Sequence, residues 1–193
     1  MYNAGDAGQR SVTLCGGIPD TLSVLVVGLR TPTRAGSTAP ASGSRRGCRC
    51  SGRPGYVALD CDATDRAIAL ARTFGTRGRV LILPEAFGPK GDLNDWLRVA
   101  AKGDPGAFRS VLERALAASP TPWALQIERL PPDLAPWDLE DHPGVRDLLC
   151  ELGHQGALSR DAHLRLLAER CGIALATLQE AARELLQGTD AEL

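Results

Sequence analysis

The stretch of sequence that decides the fold class reads Tyr56-Val57-Ala58-Leu59-Asp60-Cys61-Asp62. An apolar run followed at once by acidic residues is typical of a strand that ends at the carboxyl edge of an open parallel sheet, where such sheets place their chemistry. Asp60 and Asp62 are two residues apart, so on an extended backbone both side chains point the same way. They could then share one divalent ion, and Mg²⁺ and Mn²⁺ prefer such oxygen ligands. Aspartates at a strand end are also common in helix caps and turns, and that interpretation stays open.

A second acidic patch follows the next apolar run, Val80 to Leu83, which Pro84 ends. The patch reads Asp92-Leu93-Asn94-Asp95-Trp96-Leu97. Because the carboxyl ends of parallel strands meet at one edge of a sheet, we expect its carboxylates to gather near those of the first patch. Taken alone, the pattern is better explained by a helix that Asp92 caps and that buries its tryptophan.

The rest of residues 11–118 alternates strand and helix signals, which predicts an α/β fold with a small parallel sheet and helices on both sides. A strand over Ser11 to Cys15, a glycine turn and a helix over residues 20–29 form half of a strand-helix-strand unit. Further helices are predicted over 63–74, 92–102 and 105–118. Asp104-Pro105 supplies an N-cap and a proline in the first turn of the last of these helices.

One long stretch, Arg30 to Gly55, contains no Val, Ile, Leu, Met, Phe, Trp or Tyr, so we expect no buried strand there. It carries six arginines, and no acidic residue lies between Asp20 and Asp60. The stretch is first interpreted as an irregular, solvated insert. A flexible basic loop that neutralises nucleic-acid phosphates is a second hypothesis. A disrupted reading frame is a third, and it is dropped if no other frame of codons 30 to 55 restores a strand-helix pattern.

Beyond the α/β region, residues 119–143 hold six prolines together with Trp123 and Trp137, which indicates an extended linker. The segment 144–188 then shows three helical patterns, over about 144–151, 160–171 and 175–187, and Gly172 predicts where the second of them ends. The order of the last two is also that of a helix-turn-helix. Its second helix would present Gln179, Glu180, Arg183 and Glu184, a poor set for phosphates, so a plain helical hairpin is the preferred interpretation.

The bulk composition leaves the partner class open. With 193 residues, 44% hydrophobic positions and a net charge of −1, the chain can bury a core and has no strong overall attraction for nucleic acid. Its six cysteines show no paired zinc spacing, and we interpret them as reduced thiols. Residues 1–10 lack a hydrophobic signal segment, and no apolar run approaches the ~20 residues that span a membrane. These features predict a cytoplasmic protein that does not contact membranes.

Three acidic motifs in a fixed order resemble the Toprim domain of bacterial and phage DNA primases and primase-helicases. They are Gly16-Gly17-Ile18-Pro19-Asp20, Asp60-Cys61-Asp62 and the run from Lys90 to Leu97, and the resemblance covers about residues 11–118. It implies that Asp60, Asp62 and Asp92 coordinate Mg²⁺ or Mn²⁺, with Asn94 at a position that is often acidic or an amide. Asp20 would be the second acid of the first motif, and Gly16 stands where the family has a glutamate.

The resemblance implies Mg²⁺-dependent nucleotidyl transfer in primer synthesis during DNA replication, with Asp20, Asp60 and Asp62 as the catalytic acids. Its partners would be a single-stranded DNA template, nucleoside triphosphates and a replicative helicase. Because Gly16 offers no oxygen ligand and no proton transfer, we expect the isolated chain to be impaired. Asp65 also replaces a glycine that the family usually has.

Two alternatives use the same residues. One is a Toprim nuclease or topoisomerase, although a topoisomerase would need a nucleophilic tyrosine and only Tyr2 and Tyr56 exist. The other is a non-catalytic remnant from a mobile element that binds nucleic acid or a replication partner.

Overall fold

The computed structural model of the protein describes residues 12–16, 33–35, 54–100, 102, 104–132, 134 and 142–191. Contacts divide the chain into two compact units, Met1–Pro122 and Trp123–Leu193. The first unit contains a parallel sheet with helices, and in the second the structure describes helices joined by short turns. The predicted helix over 20–29, together with Asp20 and Trp137, lies outside the described residues.

Among the residues that the structure describes, the first unit has four strands, and all of them run parallel. They are β1 (Val12–Cys15), β2 (Thr33–Ala35), β3 (Gly55–Ala58) and β4 (Gly78–Val80), in the spatial order β2-β1-β3-β4. β4 begins and ends earlier in the sequence than the predicted strand from Val80 to Leu83. The pairing continues one residue beyond it, because the Leu81 N–H donates to the Val57 carbonyl at 2.9 Å. The parallel sheet and its helices confirm the predicted α/β fold class.

The stretch from Arg30 to Gly55, interpreted as an irregular insert, contains strand β2, which pairs with β1. β2 is the outermost strand of the sheet. An edge strand needs a backbone partner on one side only, so a run of large apolar side chains is not required for its pairing. Thr33, which is β-branched, also suits an extended backbone.

Helix α1 (Thr64–Arg72) packs so closely on the sheet that glycine is required on two strands. A Cβ atom at Gly55 would overlap the ring of Phe74, and one at Gly78 would overlap the carbonyl group of Ala71. Gly55 and Val57 therefore face α1, which buries Ala67, Ile68 and Ala71.

Helices α2 (Leu93–Ala100) and α3 (Pro105–Ala118) cover the other face of the sheet. Alternate residues of a strand face opposite sides, and Ala58 packs in one cluster with Trp96 and Phe108. The two aromatic rings meet edge to face, with centroids 5.6 Å apart. The Asp104 carboxylate accepts the Gly106 N–H at 2.9 Å, which confirms the predicted N-cap of α3.

The second unit contains α4 (Pro122–Arg129), α5 (Pro143–Gly153), α6 (Ala157–Cys171) and α7 (Leu175–Ala191). The last three confirm the three predicted tail helices, with longer bounds. α6 ends at Gly172, whose φ of 68° is the left-handed conformation of a helix C-terminus, as the sequence predicts. Within the described residues, no helix is both long and apolar enough to cross a membrane.

The interpretation of 119–143 as an extended linker is wrong for α4. Pro122 occupies the first position of this helix, where the missing N–H costs no hydrogen bond. Trp123, Ile127 and Leu130 then follow at helical spacing and join the core of the second unit. The Trp123 indole N–H donates to Glu151 Oε2 at 3.0 Å. Of the six prolines in 119–143, only Pro122 lies inside this helix, so the number of prolines does not prevent helical periodicity from being followed.

Gly78→Ala should destabilise the first unit, because the new methyl group would collide with the backbone of α1 rather than with a mobile side chain. We expect a loss of about 3 kcal/mol in the free energy of unfolding, measured by chemical denaturation. Thr76→Ala is the matched control at a nearby exposed position and should change this free energy by less than about 0.5 kcal/mol. Equal effects of the two substitutions would contradict the close packing of β4 on α1.

Candidate functional site

The candidate site lies at the carboxyl ends of β1 and β3, where the order in which strands are added to the sheet reverses. From β1 the chain adds β2 on one side and β3 on the other. In open parallel sheets, ligands bind outside the strand ends at this switch point. Cys15 pairs with Ala58, so the residues that follow the two strands leave the sheet at the same edge. Gly16 is exposed directly after β1, and Asp60 lies two residues beyond the end of β3.

The segment that carries Asp60 and Asp62 is not extended throughout, contrary to the premise on which both side chains point the same way. Residues Cys61–Ala63 form a 3-10 turn directly after Asp60. Asp60 is partly buried, whereas Asp62 is exposed. The Ala63 N–H donates to the Asp60 carbonyl at 2.9 Å, and α1 begins at the next residue. The early start of this helix ends the extended segment before Asp62.

Two backbone hydrogen bonds tie the first acidic patch to the loop before the second. The Cys61 N–H donates to the Gly91 carbonyl at 3.1 Å, and the Asp62 N–H donates to the Pro89 carbonyl at 2.8 Å. Gly91 is buried, and a Cβ atom there would overlap Phe87. The loop therefore passes close to residues 60–62 and places Asp92 beside them.

Asp92 caps α2, as the helix-cap interpretation predicts. Its Oδ1 accepts the Asp95 N–H at 2.7 Å, and its carbonyl accepts the Trp96 N–H at 3.1 Å. Leu93 and Trp96 are buried on the inner side of the helix. Asn94 lies in the same first turn and is partly buried. One carboxylate oxygen of Asp92 is thus committed to the helix cap.

The carboxylates of Asp62 and Asp92 are close enough to Asp60 to affect its ionisation. Burial raises the pKa of Asp60 above its ordinary value of 3.8, and the charges of Asp62 and Asp92 raise this pKa further. Burial also raises the pKa of the Cys61 thiol, so this thiol is neutral and a poor nucleophile at neutral pH. The site therefore concentrates negative charge and lacks an activated cysteine.

The donor chemistry suits a hard cation, but the described residues do not complete a metal site. Within that part of the chain, no three His, Cys, Asp or Glu side chains are grouped so that they could hold one metal ion. Gly16 offers no side-chain ligand, and Asp20 lies outside the described residues. The carboxylates are thus neighbours, but they are not arranged around one point. The shared metal ion stays a prediction.

Sequence reasoning missed Glu85, which lines a cleft with Asp60. The cleft has a volume of about 100 Å³, enough for a few water molecules, and Leu59, Cys61 and Ile82 also line it. Glu85 follows Pro84, which ends the predicted strand from Val80 to Leu83. An acidic residue after an apolar run, the pattern that identified Asp60, is thus present here as well, with one proline between.

A comparison of the chain with models of known protein families gave no match, and a search of curated proteins also gave none.

Asp60→Asn should stabilise the protein at neutral pH, because it removes a partly buried charge that two neighbours repel. The raised pKa means that the native state holds this proton more tightly than the unfolded state, so the stability of the native protein falls as pH rises from 3.8 through the native pKa. We expect a gain of about 0.5 kcal/mol at pH 7 that disappears below pH 3.8, measured by chemical denaturation.

Asp65→Asn is the matched control for this prediction. Asp65 is exposed in the first turn of α1, where a negative charge is favourable near the helix N-terminus. This control should leave stability unchanged or slightly lower it. A loss of stability in Asp60→Asn at pH 7 would contradict the mutual repulsion of the three carboxylates.

Proposed function

We propose that the first unit is a Toprim-type domain descended from a DNA primase, with a reduced form of the Mg²⁺-dependent site that transfers nucleotides in primer synthesis. The observation that supports this most is the placement of Asp60, Asp62 and Asp92 together beyond the strand ends at the switch point. The order of the acidic motifs in the sequence supports the same assignment. The substrates would be nucleoside triphosphates on a single-stranded DNA template, with a replicative helicase as a further partner.

In this proposal Asp60 and Asp62 are the principal ligands of Mg²⁺ or Mn²⁺. Asp92 and Asn94 assist from the first turn of α2, and Asp20 supports them from the first motif. A bound metal ion would lower the charge on the transferring phosphate. The protein's own task is to hold the carboxylates close together, and the backbone hydrogen bonds from residues 61 and 62 to the loop at 89–91 serve that purpose.

Gly16 is the reason for proposing a reduced site. It is exposed at the end of β1, next to the strand that leads to Asp60. Without a carboxylate at this position, the site lacks one ligand and one group for proton transfer. We therefore propose that the chain as it stands binds metal weakly and turns over little substrate in the cytoplasm.

Mn²⁺ should bind with a dissociation constant on the order of 10⁻⁴–10⁻³ M, as expected for a carboxylate site with few ligands. Isothermal titration calorimetry of the unchanged protein, Asp60→Asn and Asp62→Asn would measure this. Each substitution should weaken binding at least about tenfold, because each removes a charged oxygen ligand. Asp104→Asn is the matched control, since Asp104 caps α3 and has no part in the proposed site. Binding that is absent, or equal in all four proteins, would overturn the site assignment.

Gly16→Glu should restore turnover if the loss of the glutamate is what impairs the site. We expect the rate of primer synthesis with Mg²⁺ or Mn²⁺ to rise by about 10²-fold or more, the usual contribution of a general acid or base. Gly17→Glu places the same charge one residue away and should not raise the rate. DNA cleavage measured in parallel would assign the site to the nuclease alternative instead. If neither primer synthesis nor DNA cleavage appears in Gly16→Glu, the site has lost its catalytic capacity for reasons other than the missing glutamate.

Nucleic-acid binding without turnover is the second candidate, and the distribution of charge favours it. The first unit has 16 Lys and Arg against 10 Asp and Glu, a formal charge of +6, although the whole chain has −1. A positive unit attracts phosphates without any catalytic group. The topoisomerase alternative is disfavoured, because Tyr56 lies within β3 and is only partly exposed.

A further inference from the structure

A groove lies between α6 and α7 in the second unit, remote in sequence from the acidic motifs. It has a volume of about 430 Å³. Leu164 and Ala182, which are almost fully buried, belong to its lining and form its apolar base. The polar lining includes Arg160, Asp161 and Arg183. The groove thus has an apolar base and charged side chains along its sides.

The net charge that this groove offers to a partner is positive. Asp161 is already neutralised, because its Oδ2 accepts from Arg165 Nε at 3.0 Å and its Oδ1 accepts from Gln179 Nε2 at 2.9 Å. Arg160 and Arg183 are the two cations of the lining. They stand out in a unit that has 6 Lys and Arg against 13 Asp and Glu, a formal charge of −7.

A leucine beside these arginines is almost entirely in water. Leu158, in the first turn of α6, also lines the groove and is 91% exposed. A single exposed apolar side chain is common on protein surfaces. Here it adjoins an apolar depression with two arginines, which is the arrangement that binds an amphipathic segment by its apolar face while charges at the edge orient it.

We propose that this groove binds an acidic segment of another protein that carries bulky apolar side chains. The apolar side chains would cover Leu158 and enter the depression over Leu164 and Ala182, while carboxylates of the segment would pair with Arg160 and Arg183. Nucleic acid fits less well, because its phosphates would pair with the two arginines alone and would gain nothing from an exposed leucine. The proposal does not depend on the function proposed for the first unit.

The full chain would be tested against a displayed library of random peptides. We expect enriched peptides that combine Asp or Glu with Leu, Ile, Phe or Trp, and we expect their binding to weaken as salt is added. Fluorescence anisotropy of one labelled, enriched peptide then measures its affinity for the protein and its variants.

Leu158→Ser and Arg183→Gln should each lower the affinity for this peptide at least about tenfold, since each removes a side chain that makes the proposed contact. Leu166→Ser and Arg146→Gln are matched controls, because both residues are exposed in the same unit and neither lines the groove. The controls should bind as the unchanged protein does. Because all four side chains are exposed to solvent, circular dichroism should show the same fold in each variant.

Three results would overturn the proposal. The first is that the library yields no enriched peptide, or that the enriched peptides are rich in basic residues. The second is an enriched peptide that Leu158→Ser and Arg183→Gln bind as tightly as the unchanged protein. The third is binding of single-stranded DNA that is lost in Arg183→Gln and kept in Leu158→Ser, which would assign the groove to nucleic acid.

Discussion

The parallel pairing of β1 with β3 is the constraint on which the rest of the first unit depends. Because Cys15 lies opposite Ala58, the chain leaves both strands at the same edge of the sheet. β2 and β4 then extend the sheet on opposite sides, which makes that edge a switch point. Close packing keeps this arrangement in place, since Phe74 and helix α1 leave no room for a Cβ atom at Gly55 of β3 and at Gly78 of β4.

The acidic site works against the stability of the unit that contains it. Three carboxylates lie beyond the strand ends, and burial together with the charges of Asp62 and Asp92 raises the pKa of Asp60. Backbone hydrogen bonds from residues 61 and 62 hold them near one another, and the cap on α2 adds a favourable contact for Asp92. Charge gathered at such a cost is common where proteins bind ions or phosphates. The proposed partner groove in the second unit has the opposite sign of charge.

Local patterns predicted most of the elements, because helix periodicity, N-caps and glycine stops act within a few residues. The N-cap at Asp104 and the helix end at Gly172 are two such cases. The errors came where a neighbour decides the outcome. β2 forms because β1 offers a free edge, and α4 forms because Trp123 and Ile127 meet the core of the second unit. Neither partner can be read from the stretch itself.

The sequence by itself determined the α/β class, the helical second part of the chain and the order of the acidic motifs. These follow from the spacing of apolar and acidic residues along the chain. Only the tertiary structure decided how the acids are arranged. A 3-10 turn at Cys61–Ala63 ends the extended segment directly after Asp60, and the loop at Pro89–Gly91 brings Asp92 close to residues 60–62. Hydrogen bonds between segments far apart in sequence set that arrangement, and the spacing of residues in one segment carries no information about them.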